Sequence, residues 1–98
     1  YNDKFCKSIG GITETKHYYN YPGGRSYIRV DCETEHYVYE GGLDKRSSLD
    51  SLQQAIFFST LTDKKPAIVI YNTDNEIGKY EHRIMQASKK AGIKFLIY

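Results

Sequence analysis

An apolar pair, Phe5 and Cys6, stands inside a polar opening segment, and residues 2–9 read as the last turns of a helix stopped by Gly10-Gly11. Residues 12–20 then alternate. Ile12, Glu14, Lys16 and Tyr18 fall on one face and Thr13, Thr15, His17 and Tyr19 on the other, a period of two that predicts a strand. Tyr21-Pro22-Gly23-Gly24 joins a fixed φ to residues free to take positive φ, which predicts a tight turn into a second strand over residues 25–31. There Ile28 and Val30 share a face, Tyr27, Arg29 and Asp31 take the other, and Asp31 falls at the end. Residues 32–35 reverse the chain. A third strand over residues 36–40 ends on Glu40, and Gly41-Gly42 releases the backbone after it.

Beyond this meander the period changes. Ser47 is placed to cap a helix with Asp50 three residues on. Leu49, Leu52, Ala55 and Ile56 recur at helical spacing, and Gln54, Phe58 and Leu61 form a second ridge, so Gln54 is expected to be partly buried. The continuous apolar run 67–71 (Ala-Ile-Val-Ile-Tyr) predicts a strand covered on both faces. After a capping turn at residues 72–75, Ile77, Tyr80, Ile84, Ala87 and Ala91 share one face of another helix, with Lys79, Arg83, Lys89 and Lys90 on its wetter sides. Gly92 closes that helix and residues 93–98 make a final strand. The order is helix, three strands, helix, strand, helix, strand (αβββαβαβ). It predicts an α/β (α+β) fold with a central mixed sheet flanked by helices, and its 98 residues are enough for one domain and one core.

Composition narrows the function classes. With 40% hydrophobic and 27% charged residues the chain has the make-up of a globular domain, and no apolar run reaches membrane-spanning length. The chain opens on Tyr1 and is read as a piece of a longer protein. A formal net charge of +2 offers no global basic field to a nucleic acid, but the distribution is uneven. Asp31, Glu33, Glu35, Glu40, Asp44 and Asp50 crowd one stretch of twenty residues, whereas residues 64–94 carry seven Lys and Arg against three acids. An acidic pocket beside a basic surface suits a metal-dependent enzyme acting on a phosphodiester, because carboxylates held together need a cation to neutralise them. An acidic turn exposed to water accounts equally well for the same composition. Cys6 and Cys32 lack metal-ligand spacing, and whether they pair depends on the fold; Cys32 alone reads as a small buried hydrophobe. His17, His36 and His82 lie on separate elements and read as surface or structural residues, with His36 sharing a strand face with Glu40. Ten tyrosines serve sheet packing first, with Tyr18-Tyr19 and Tyr21 a possible stacking platform.

The element order, with Asp31 ending the second strand and Glu40 ending the third, resembles the PD-(D/E)xK nuclease fold over essentially the whole chain. The resemblance implies that Asp31 and Glu40 are the strand acids of a metal site and that Glu14, on the preceding strand, completes it. Gln54 followed by Phe58 resembles the family's Gln-x-x-x-Tyr helix motif without the hydroxyl. The pattern expects Lys two residues after Glu40, where Gly42 stands, and Lys45 or Arg46 on the following segment is the candidate to return that charge. The run from Glu40-Gly41-Gly42-Leu43-Asp44-Lys45 to Lys64-Lys65-Pro66 and Gly78-Lys79-Tyr80-Glu81 resembles C-terminal toxin domains of bacterial contact-dependent growth inhibition systems. That likeness implies a DNase delivered as part of a larger cell-surface or secreted protein, acting in the target-cell cytoplasm and blocked by a cognate immunity protein. The expected site is Glu14, Asp31 and Glu40 on one Mg²⁺ or Zn²⁺, with Lys45 offsetting transition-state charge and Gln54 nearby, and basic residues after Lys64 following the phosphate backbone. Two rival readings share the residues: an RNA (tRNA) nuclease with a metal-free acid–base site, and a catalytically degenerate interaction module whose hairpin around Pro22 adds a strand to a partner.

Overall fold

The computed structural model describes residues 2–43, 51–71 and 78–98. The elements follow the expected order: α1 (Asn2–Ser8), β1 (Ile12–Tyr21), β2 (Gly24–Glu33), β3 (Tyr37–Leu43), α2 (Ser51–Thr62), β4 (Lys65–Tyr71), α3 (Lys79–Ala91) and β5 (Lys94–Ile97). The five strands lie in one mixed sheet in the order β1-β2-β3-β4-β5. β1, β2 and β3 are antiparallel neighbours joined by short turns, and β3, β4 and β5 are parallel. Each parallel pair needs a crossover, and α2 and α3 fill that role.

The apolar run of β4 is buried on both faces, as expected, and divides the core in two. Ala67, Val69 and Tyr71 pack with Phe5 and Cys6 of α1 and with Cys32 and Tyr39. Ile68 and Ile70 pack with Ala55 of α2, Ile84 of α3 and Ile93. The short α1 thus covers one face and the two crossover helices the other. A helix of seven residues holds little structure alone, and α1 is fastened by a Cys6–Cys32 disulfide with a Cα–Cα distance of 5.6 Å. Cys32 is therefore not a free buried thiol. A Cβ on Gly11 would come within 2.5 Å of Cys32 Sγ and 2.8 Å of Cys6 Sγ, so glycine is required where the chain leaves α1 past the bridge.

Several boundaries differ from the pattern-based ones, each for a tertiary reason. β2 runs on through Cys32 and Glu33, which pair with Tyr39 and Val38, so Asp31 lies inside the strand and not at its end. β3 does not stop at Gly41-Gly42; it continues to Leu43 because β4 supplies a parallel ladder, Gly41 opposite Val69 and Gly42 opposite Ile70. Gly41 is needed for contact, not release: a Cβ there would sit 2.7 Å from the Tyr71 ring. In α2 the buried positions are Ser51, Ala55 and Phe58, while Ile56, expected in the core, is 44% exposed. In α3, Glu81 and Ser88 are buried beside Ile84 and Ala91 is exposed, a rotation of the expected face. Ser88 manages burial by donating its hydroxyl to Ile84 O at 2.7 Å. Gly92 caps α3 in the left-handed region at φ 71°, as its position after the last periodic residue predicts. Among the described residues no helix is long and apolar enough to cross a membrane.

Candidate active site

The three strand carboxylates fall in one row across β1, β2 and β3. Thr13 pairs with Cys32 and Thr15 with Val30, which sets Glu14 opposite Asp31; Cys32 pairs with Tyr39, which makes Glu40 the next position beyond. The row is irregular. Val30 packs with Val38 and Phe58 on the α2 side, yet Cys32, two residues on, packs on the α1 side. A regular strand puts such residues on the same face, so β2 switches faces at Asp31. β1 matches it, with Glu14 at φ 55°, in the left-handed region that non-glycine residues seldom occupy. Such strain, on the order of 1 kcal/mol or more, collects where a fold re-aims a side chain.

The switch gives Asp31 its surroundings. Its Oδ2 accepts the backbone N–H of Gly41 at 2.8 Å, standing in for a ladder carbonyl. Its backbone carbonyl accepts Asn2 Nδ2 at 2.7 Å, and Asn2 Oδ1 in turn accepts the Tyr71 hydroxyl at 2.9 Å. α1 and β4 therefore hold Asp31 through Asn2, a residue that no local pattern singles out.

Glu40 is 7% exposed, and its Oε2 has no hydrogen-bond partner among the described residues. Burial, then the Asp31 charge, a hydrogen bond with Asp31 open only to the protonated form, and the Glu14 charge push its pKa from the ordinary 4.5 to about 9. At neutral pH Glu40 holds a proton beside Asp31. Burial together with the Asp31 and Glu40 charges also raises the Tyr71 phenol above its usual range. Glu14 acts on Glu40 as a nearby charge. Among the described residues no three His, Cys, Asp or Glu side chains stand grouped as a ligand set for a metal ion. The donor chemistry still suits a cation at Asp31 and Glu40: two carboxyl groups from adjacent strands, one with an orphaned oxygen, need positive charge to ionise together.

The other expected site residues are dispersed. Gln54 lines a cleft of about 530 Å³ between α2 and the β1–β2 hairpin, with Tyr19, Ile28, Arg29 and Phe57, and makes no hydrogen bond to Asp31 or Glu40. Lys45 and Arg46, with Asp44 and Asp50, lie outside the described residues, as do the expected cap at Ser47 and the turn at 72–75. His36 is exposed in the β2–β3 turn near Glu35, away from Glu40. Glu33 belongs to a separate network: its Oε2 accepts Lys64 Nζ at 2.5 Å, and its Oε1 meets His17 Nε2 and the Thr15 hydroxyl, each at 2.6 Å. Burial raises the Glu33 pKa, but the Lys64, Thr15 and His17 hydrogen bonds and the His17 charge outweigh it and bring the value to about 2. Lys64, which also donates to Thr34 O at 2.7 Å, is thus committed to structure and is not available to a phosphate.

Asn2, Gly41 and Tyr71 are the supporting residues that sequence reasoning passed over. Only Gly41, in a glycine pair at a strand, carried any local signal. No family model matches the chain, and neither a curated protein nor a solved structure matches it.

Proposed function

We propose that this chain is a metal-dependent nuclease domain of the PD-(D/E)xK type, hydrolysing phosphodiester bonds of DNA. What supports the reading is the Asp31–Glu40 pair: two carboxyl groups on neighbouring strands, pressed together by a face switch, with one proton retained where a cation would fit. A divalent ion in such a site supplies Lewis-acid polarisation of a phosphate oxygen and a water of lowered pKa. Asp31 and Glu40 would hold it and Glu14 would add a third negative charge. Asn2 holds the Asp31 backbone carbonyl and the Gly41 N–H its carboxylate, while Glu40 must lose its proton to become a ligand, so metal affinity should rise with pH. Lys45 is assigned the balancing positive charge. The setting is the one implied by the toxin-domain likeness, a nuclease delivered to a neighbouring cell and held inactive by an immunity protein.

The test is cleavage of plasmid DNA and of total RNA by the purified domain, with EDTA and with added Mg²⁺, Mn²⁺ or Zn²⁺. Asp31→Ala should abolish cleavage, and Asp31→Asn, which keeps an acceptor for Gly41, should do so with the fold retained. Undiminished cleavage by Asp31→Asn would refute the assignment. One observation favours a second reading: Glu40, which burial and the Asp31 charge keep protonated at neutral pH, is suited to act as a general acid in a metal-free ribonuclease site. RNA cleavage that persists in EDTA selects it.

A further inference from the structure

The outer half of the β1–β2 hairpin presents an ordered alternation of cations and aromatic rings. Cross-strand register places Lys16 opposite Arg29, Tyr18 opposite Tyr27 and Asn20 opposite Arg25, on alternate rungs of the ladder that runs back toward Glu14 and Asp31. The rings of Tyr18 and Tyr27 are 5.7 Å apart, and each carries cations: Lys16 Nζ is 4.4 Å from the Tyr27 centroid and the Arg25 guanidinium 4.6 Å from that of Tyr18. The Arg29 guanidinium is 5.9 Å from the Tyr27 centroid. These contacts keep the side chains laid along the strand face. Tyr18 and Tyr27 nevertheless stay 54% and 45% exposed.

Two facts make this face unusual. Among the described residues no element packs over it: β3 pairs with β2 only at Cys32 and Glu33, α2 packs on the opposite side through Tyr19–Phe57 and Val30–Phe58, and α1 reaches only the Cys32 end. It also has no counter-charge: among the described residues no carboxylate forms an ion pair with Lys16, Arg25 or Arg29. Burial does not account for the tyrosines, nor ion pairing for the cations.

We propose that this face binds single-stranded nucleic acid, with Lys16, Arg25 and Arg29 on phosphates and unpaired bases stacked on Tyr18 and Tyr27. Exposed rings interleaved with uncompensated cations fit a polyanion whose bases are free to stack; a duplex hides its base faces and offers the rings nothing. Because the ladder leads directly to the Glu14–Asp31 rung, a bound strand would be led toward the acidic row. This rests on the nuclease reading for its purpose but not for its test, since binding is measured without cleavage.

The experiment is fluorescence anisotropy with labelled 20-nucleotide single strands of DNA and of RNA, and the matching DNA duplex, in EDTA across a salt series. Wild-type protein should bind either single strand more tightly than the duplex, with affinity falling as salt rises. Tyr18→Ala/Tyr27→Ala should weaken single-strand binding by about tenfold or more and leave duplex binding unchanged. Tyr18→Phe/Tyr27→Phe, which keeps both rings and separates stacking from a folding defect, should bind as wild type. Replacing Lys16, Arg25 and Arg29 with Ala should flatten the single-strand salt dependence by about 2 in log–log slope, near 0.7 for each lost phosphate contact. Equal affinity for duplex and single strand, or a salt slope untouched in the triple variant, would overturn the proposal. Binding intact in a site variant that no longer cleaves would uphold it while the nuclease assay decides the chemistry separately.

Discussion

Glu40→Gln offers the sharpest test of the site. Wild-type Glu40 has a folded-state pKa near 9 against an ordinary 4.5, so the folded chain binds the proton more tightly than the unfolded chain does. A raised carboxyl pKa contributes no penalty below pH 4.5. Each unit above it costs about 1.4 kcal/mol, until the folded group ionises near pH 9 and the loss levels off. At pH 7 the cost is on the order of 3 kcal/mol, a large share of the stability of a domain this size. Glutamine has the same shape, carries no charge and can donate to Asp31, so it escapes that cost. Without metal, Glu40→Gln should therefore be more stable than wild type by about 2–3 kcal/mol at pH 7, or roughly 10 °C in Tm, with the gain vanishing near pH 4.5. Urea unfolding in EDTA at pH 5, 7 and 9 measures it. On the proposed function the same variant loses cleavage, a gain in stability at the expense of activity. A wild-type stability flat from pH 5 to 9, or a variant no more stable than wild type at pH 7, would show that Glu40 does not keep its proton beside Asp31.

Other consequences concern the frame around the site. Glu33 has a lowered pKa, so its pairing with Lys64 and His17 stabilises the fold above pH 4.5, and that contribution should fade between pH 4.5 and 2. Glu33→Gln should remove that part of the acid sensitivity at a cost of order 2 kcal/mol at pH 7 after allowance for solvent screening, read from acid-unfolding curves. Opening the Cys6–Cys32 bridge, which spans 26 residues, with reductant or by Cys6→Ser/Cys32→Ser should cost about 3 kcal/mol and shift the urea midpoint accordingly. Gly41→Ala should cost about 1–3 kcal/mol because its Cβ would meet the Tyr71 ring at 2.7 Å. Gly23→Ala, whose nearest neighbours are atoms of the flexible, half-exposed Tyr21 side chain, should be milder, with both variants compared by urea midpoint.

The sequence by itself determined the succession of elements. Alternation in β1, the Pro22-Gly23 turn, the continuous apolar run of β4 and the helical spacing of Ile84 with Gly92 at its end are local patterns, and local backbone physics reads them correctly. It also singled out Asp31 and Glu40, since acids closing apolar strand patterns are conspicuous, and Glu14 by its place on the neighbouring strand. Tertiary structure alone decided how these residues meet. The pairing partner fixes where a strand ends, which is why β4 carries β3 past its glycines and β3 carries β2 past Asp31. The face switch at Glu14 and Asp31, the choice of Asn2 and Tyr71 as supports and the Cys6–Cys32 bridge each join residues distant along the chain. So does the withdrawal of Glu33 and Lys64 into their own ion pair. A carboxylate's pKa, and with it its chemistry, depends on burial and on the charges brought beside it, and both quantities come into being only when the sheet is assembled.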